Sequence, residues 1–346
     1  MPHVSVITIF LNAERFLDET LASLRRQTLI DWELVLVDDG STDAGSAMAR
    51  EAASASAGQI RYFEHDGHAN LGLAASRNRG LHEARGEHVL YLDSDDLLFP
   101  EALATLAGAL DRDPRIALAS AATLFWNWDP AFAGEPDRMQ DFRHWAGRTV
   151  DGRDFLAAMI ADETLHPANC STMIRRQAML DIGGFDPAFR GIYEDTSLMT
   201  ELLVAHRIRV LRDCLSAYRM HASSHCHTAI SEGDYVADRP NAARLRYLEW
   251  ARGYLAGRGL LRGALGEAVT RTLREQQGAA AESRLNRVRR QAAAVLGDPL
   301  RLWGRIFARP AETEGALAAI ERFYRQRGAE SDADLAAARR ISRESL

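Results

Sequence analysis

The sequence contains no lysine; all 42 of its basic residues are arginine. A Walker P-loop lysine, a Schiff-base lysine and a protein-kinase strand lysine are therefore excluded, because each needs an amine. The bias itself reads as codon composition rather than function. Cysteine is scarce: Cys170, Cys214 and Cys226 form no C-x-x-C pair, so they are expected to be reduced and structural. The longest apolar stretch, around 116–128, falls short of the ~20 residues that a membrane-spanning helix needs. The chain runs at once into Val4-Ser5-Val6-Ile7, without the charged start and apolar run of a secretory leader, so a cytoplasmic protein is expected. No G-x-G-x-x-G follows that first apolar segment, which disfavours dinucleotide binding.

What is present is ordinary globular composition, 47% hydrophobic and 26% charged over 346 residues, enough for a large domain with an appendage. Residues 241–346 carry 20 Arg against 12 Asp and Glu, whereas residues 1–240 carry 22 against 36. The acidic first part argues against a nucleic-acid partner, which would require a basic face, and suits a metal site better.

The first 120 residues alternate short apolar runs with amphipathic stretches, the pattern of strand and helix units around a mostly parallel sheet. The spacing predicts strands over 4–10, 34–37, 60–63, 88–92 and 116–120, and helices over 13–27, 44–55, 73–84 and 100–110. Asn12 is read as the cap of the first helix, and Pro100 as a first-turn residue of the fourth. A long loop is expected over 123–148, holding Trp126, Trp128 and Trp145, whose indoles suit either sugar contact or core packing. After it come a helix over 152–160, a strand over 171–174, a turn at Gly183-Gly184 and a helix over 195–205. Short strands are expected over 208–212 and 216–220, and helix from about 234 to the end.

Open sheets of this kind bind ligands beyond the carboxyl ends of their strands. The second strand ends in Val37-Asp38-Asp39-Gly40-Ser41-Thr42-Asp43. Carboxylates there can accept from a base N–H or a ribose hydroxyl; Asp43 and Ser41 can equally cap the next helix. The fourth strand ends in Asp93-Ser94-Asp95-Asp96. Three carboxylates in four residues repel one another unless a cation neutralises them, and a hard divalent ion with oxygen ligands is the natural solution. Magnesium or manganese fits better than zinc, because no characteristic Cys and His spacing accompanies the cluster. The plain alternative is a solvated acidic turn.

Asp38-Asp39-Gly40-Ser41-Thr42-Asp43, Asn70-Leu71-Gly72-Leu73-Ala74-Ala75-Ser76-Arg77-Asn78 and Asp93-Ser94-Asp95-Asp96, in that order, resemble the signatures of family 2 glycosyltransferases over roughly residues 1–221. The resemblance implies an α/β GT-A fold, a Rossmann-like, mostly parallel sheet flanked by helices, with a helical C-terminal appendage. Its expected division is a GT-A domain over 1–233, split at 120 into nucleotide-sugar and acceptor halves, and a helical region over 234–346. It implies transfer of one sugar, with inversion, from a nucleotide diphosphate sugar to an acceptor hydroxyl, assisted by Mn2+ or Mg2+. UDP is the first expectation for the donor, with GDP and dTDP behind it; the acceptor is a glycan or a lipid-linked molecule of cell-surface biosynthesis.

Carried onto this chain, Phe10, Asn12, Asp39, Arg77, Asp93 and Ser94 are the expected nucleotide-sugar residues. Asp93, Asp95 and His221 are the expected metal ligands. Arg77 also stands unaided as a permanent cation suited to phosphate, and Asn78 is read as positioning its loop. Gly183-Gly184-Phe185-Asp186 with Tyr193-Glu194-Asp195 resembles the acceptor segment. Asp195 is expected to be the general base, and Glu194 the alternative base or an acceptor ligand. A helix N-terminus favours the same carboxylates for its dipole alone. Tyr218-Arg219-Met220-His221 resembles a further family segment; His225, Cys226 and His227 match no standard zinc spacing. Two features depart from the family: Ile9-Phe10-Leu11-Asn12 lacks the tyrosine that can stack on a base, and the Gln-x-x-Arg-Trp signature of processive synthases is missing. Arg-rich residues 284–309 read as an amphipathic stretch able to rest on the inner face of a membrane or to pack on the catalytic domain. The rivals are a catalytically silent nucleotide-sugar-binding scaffold and a haloacid-dehalogenase-type phosphatase, suggested by Leu92-Asp93-Ser94-Asp95 but lacking its lysine.

Overall fold

The computed structural model describes residues 1–130, 136–162, 164–189, 192–224, 227–228 and 242–290, with only the backbone over 279–290. Apolar strands buried on both faces make its centre. β1 (Val4–Phe10) and β2 (Trp32–Asp38) are buried at every position, the near-continuous apolar pattern of strands covered by helices on both sides. With β3 (Ile60–Glu64) and β4 (His88–Tyr91) they form a parallel array in the order β3-β2-β1-β4. Helices α1 (Leu17–Arg25), α2 (Gly45–Ala55) and α3 (Leu73–Glu83) make the crossovers. The two-residue β5 (Leu97–Leu98) and α4 (Ala102–Asp111) follow.

The second half departs from the predicted elements. β6 runs Ile116–Asn127, so most of the expected loop start is strand, and it pairs in parallel with one 14-residue strand, β10 (Arg207–Met220), where two short strands were expected. Register shifts around Val210, Cys214 and Ser216 mark bulges that bend β10 without ending it, and this interruption of the apolar alternation reads as a break in the sequence. Three short strands were not foreseen as pairing: β7 (Arg138–Met139) joins β6, β8 (Arg148–Asp151) joins β10, and β5 joins β10. β9 (Thr172–Arg175) lies antiparallel between β4 and β6, stitching the halves into one sheet. Helices α5 (Gly152–Ile160), α6 (Arg176–Asp181) and α7 (Glu194–Ala205) complete the second half.

The appendage begins with α8 (Ala242–Gly257) and α9 (Gly263–Arg290). Tyr247, Leu248, Ala251, Leu255, Leu265, Val269 and Leu273 share one core with Ile7, Val35, Phe155 and Leu198, so these helices pack on the α5 and α7 side of the sheet. The basic stretch 284–309 lies outside the residues whose side chains are described, and 291–346 outside the described residues altogether. No described helix is long and apolar enough to cross a membrane.

Candidate active site

The carboxyl ends of β1, β2 and β4 converge, and the chain closes them with hydrogen bonds between loops. Asn12 does not cap a helix: α1 starts at Leu17, and the Asn12 Oδ1 accepts from Thr42 N (2.7 Å) while its own N–H donates to Ser41 Oγ (3.0 Å). Phe10 is 2% exposed with its ring in the core, so it offers the site its carbonyl, which accepts from Asp39 N. Gly40 has φ +86°, and a Cβ there would sit 3.0 Å from both Asn70 N and His68 O, which only glycine avoids.

Both aspartates at the end of β2 are engaged within the protein. Asp38 accepts from Ser41 N (2.8 Å), Ser46 Oγ and Tyr62 OH (3.0 Å). Burial pushes its carboxyl up, but these hydrogen bonds outweigh burial and hold it below its usual range. Asp39, expected to meet the base, accepts from Leu71 N (2.8 Å), Gly72 N (3.0 Å) and Ser76 Oγ (2.9 Å). These bonds hold the 70–72 turn at the start of α3 and leave Oδ2 with acceptor capacity beyond the Gly72 N–H.

Helix α3 delivers Arg77 to the centre. Arg77 is 4% exposed, and its guanidinium bridges Asp93 Oδ1 (3.1 Å) and Glu194 Oε1 (2.8 Å) above the Phe185 ring. It thus joins the acidic loop after β4 to α7. Asn78, one residue on, exchanges two 2.8 Å hydrogen bonds with the main chain of Phe185. That fixes the Gly183-Gly184 turn, a contact across 107 residues rather than within the loop of Asn78; a Cβ on Gly184 would collide with Asn78 Oδ1 at 2.3 Å.

The acidic loop after β4 is pinned from beneath. Thr20 Oγ1 donates to the carbonyls of Ser94 (2.9 Å) and Asp96 (3.0 Å). Arg219, 1% exposed, donates from Nε to the Asp95 carbonyl (2.8 Å), from NH2 to Glu19 (2.7 Å) and from its backbone N–H to Asp96 Oδ1 (3.0 Å). Phe16, Trp126 and Trp128 surround its guanidinium at 4.8–5.1 Å, an aromatic cage that accounts for two of the three tryptophans. Trp145 packs edge-on against Phe155. The sequence reading passed over Arg219, although residues 219 and 221 fall on one face of a strand.

The same alternation brings His221 Nε2 to 2.9 Å from Asp95 Oδ2. A carboxylate oxygen and an imidazole nitrogen meeting at one point suit a divalent cation. Asp93 does not converge with them; it faces Arg77. Among the described residues, the His, Cys, Asp and Glu groups that close tightly on one point lie elsewhere: Asp38–Glu64–His68, tied up in hydrogen bonds with Tyr62 and Arg50, and His3–His88–Asp111. The acidic loop nonetheless crowds three carboxyl groups together. Burial, followed by the charges of Asp95 and Asp93, pushes the Asp96 carboxyl far up; burial likewise raises Asp93 against the pull of Arg77.

At the N-terminus of α7, Tyr193 takes a left-handed conformation, φ +77°, that presents Glu194 and Asp195 together. Such backbone is costly for a large side chain, and stacking of Tyr193 on Tyr247 at 5.3 Å braces it. Glu194 is buried; that burial and the neighbouring Asp195 raise its carboxyl to about 7 against the opposing effect of Arg77. Asp195 is the more open of the two. Its Oδ1 accepts from Thr196 N (2.6 Å), and its Oδ2 lies 4.0 Å from His166 Nδ1. No local pattern in the sequence marks His166; the loop between α5 and β9 brings it in.

Comparison with known proteins agrees with this geometry. Residues 5–183 match the family model "Glycosyl transferase family 2". A cholesterol galactosyltransferase of Borreliella burgdorferi is 42% identical over 93 residues, 27% of this chain and 25% of that protein. The putative glycosyltransferase EpsH of Bacillus subtilis is 38% identical over 100 residues, 29% and 28% of the two chains. The match thus spans about a quarter of the length of these relatives. In fold, the chain resembles S. aureus TarS 1-349 in complex with UDP-GlcNAc (TM-score 0.58, 21% identity, 93% of this chain and 83% of that one). It also resembles the mannosyltransferase PcManGT of Pyrobaculum calidifontis in complex with GDP-Man and Mn2+ (TM-score 0.51, 19% identity, 100% and 88%). With the family model covering more than half its length, and with the mostly parallel sheet, the acidic loop and the α7 carboxylates placed as they are, the chain belongs to glycosyl transferase family 2.

Proposed function

We propose that the protein transfers a single sugar, with inversion, from a nucleotide diphosphate sugar to an acceptor hydroxyl. The observation that carries this is the joining of Asp93 to Glu194 through Arg77, which leaves Asp195 as the open carboxylate at the seam between donor and acceptor halves. Inverting displacement needs one base on the acceptor side. Asp195 takes the hydroxyl proton as the oxygen attacks the anomeric carbon. Glu194, buried and bonded to Arg77, holds that corner in place. His166, its Nδ1 4.0 Å from Asp195 Oδ2, stands within ion-pair range of the carboxylate.

Asp95 and His221 would hold a divalent cation, Mn2+ or Mg2+, with Asp93 joining only by releasing Arg77. When bound, that ion neutralises charge on the departing diphosphate. Asp39, Asn12 and the Phe10 carbonyl shape the floor on which the nucleoside rests, and Ser94 contributes to the same rim. Because the solved neighbours hold UDP-GlcNAc and GDP-Man, a nucleotide-sugar donor is supported, with UDP our first choice and GDP or dTDP next. A glycan or lipid-linked acceptor of cell-surface biosynthesis, met at the cytoplasmic face of the membrane, completes the reading. The test is Asp195→Asn with UDP-, GDP- and dTDP-sugars: donor affinity is expected to survive while transfer falls about 10²–10⁴-fold. Full turnover by this variant would sink the base assignment.

A further inference from the structure

At the amino ends of β1 and β4, the opposite end of these strands, the chain assembles a second polar cluster that the transfer reaction does not use. Parallel pairing of β1 with β4 sets Val4 opposite His88, so His3 lies next to it, and the His88 N–H donates to the His3 carbonyl at 3.2 Å. Helix α4 ends on the same spot with Asp111. His88 Nε2 is 3.0 Å from Asp111 Oδ1 and His3 Nε2 is 3.3 Å from Asp111 Oδ2, with the two rings edge to face at 5.0 Å. Chelating atoms of all three side chains lie within 4.8 Å of one another.

Hydrogen bonding alone leaves this arrangement incomplete. The His3 Nε2 is buried and has no hydrogen-bond partner, although it points at a carboxylate. A metal ion bonded to both imidazoles and to Asp111 satisfies that nitrogen. Two imidazole nitrogens and a carboxylate are a donor set that zinc takes, with bonds of about 2.0–2.1 Å, and His88 and His3 approach the two oxygens of Asp111 from either side. His88 is fully buried and rigidly seated, whereas Asp111 is 42% exposed and gives an ion a way in from solvent. His88 opens β4 and Asp95 lies in the loop beyond the carboxyl end of that strand, so the two sites are separate.

We propose that His3, His88 and Asp111 form a transition-metal site of the zinc class, with water at the remaining position, that ties together the start of β1, the start of β4 and the end of α4. This assignment is independent of the sugar-transfer chemistry. It is tested on the full chain, stripped by a chelator and titrated with Zn2+ in excess Mg2+, which occupies oxygen-rich sites. The wild type is expected to bind one more equivalent of Zn2+ than His3→Ala or Asp111→Asn, and only the wild type to gain melting temperature from it by mass action. Equal stoichiometry and equal melting shifts in wild type and His3→Ala would overturn the proposal. Should a variant fail to fold, Co2+ bound by the wild type decides: the strong visible bands of a four-coordinate ion support the site, and a six-coordinate spectrum refutes it.

Discussion

Glu194→Gln is the sharpest probe of the electrostatics at the seam. Folding lifts the Glu194 carboxyl from its ordinary 4.5 to about 7, first through burial and then through Asp195, against the opposing pull of Arg77. The native state therefore holds this proton more tightly than the unfolded chain. The stability that follows is fully present below about pH 4.5 and is lost as pH rises through 7. At about 1.4 kcal/mol per pH unit, the whole effect is about 3 kcal/mol, of which about 2–3 kcal/mol falls between about pH 5 and pH 8. Because the side chain is only 10% exposed, solvent screening takes little from this figure. Glutamine keeps an oxygen for Arg77 but carries no charge at any pH. Urea unfolding at both pH values should show a stability loss about 2–3 kcal/mol smaller in the variant than in the wild type, on top of a pH-independent offset for the amide in place of the carboxyl. If the two proteins lose the same stability between these pH values, the buried-carboxyl argument fails.

Two further outcomes follow from the same geometry. Arg219→Met should cost about 2–4 kcal/mol in denaturant unfolding, because Glu19 and the Asp95 carbonyl lose their donor and the aromatic cage its cation; Arg219→Lys should not recover it, an ammonium being unable to fork and stack at once. A loss under about 1 kcal/mol would contradict the pinning of the acidic loop. Transfer assayed in EDTA should stop and return with Mn2+, whereas an undiminished rate in the chelator would remove the metal from the mechanism.

The first half of the fold was legible because its signals are local. The runs Val4-Ser5-Val6-Ile7 and Leu34-Val35-Leu36-Val37 are fully buried strands, and the helices between them start within a few residues of their predicted positions. The second half was less so: β10 bends through bulges that break its alternation, and β5, β7 and β8 are too short to carry a period. Of the site, Arg77, Asp93, Asp95, Glu194, Asp195 and His221 were all named from motifs, and each lies at the same end of the sheet.

The amino-acid order alone therefore determined the family, the parallel first half of the sheet and the identity of the charged groups, since these depend on periodicity and on motifs a few residues long. Only the tertiary structure decided the partners: Arg77 with Asp93 and Glu194 across 117 residues, Arg219 with Glu19 across 200, His166 beside Asp195, and His3 with His88 and Asp111. Which charge a buried group faces is fixed by strand order and helix packing, long-range contacts that no local pattern encodes, and in a buried site that neighbour sets the chemistry.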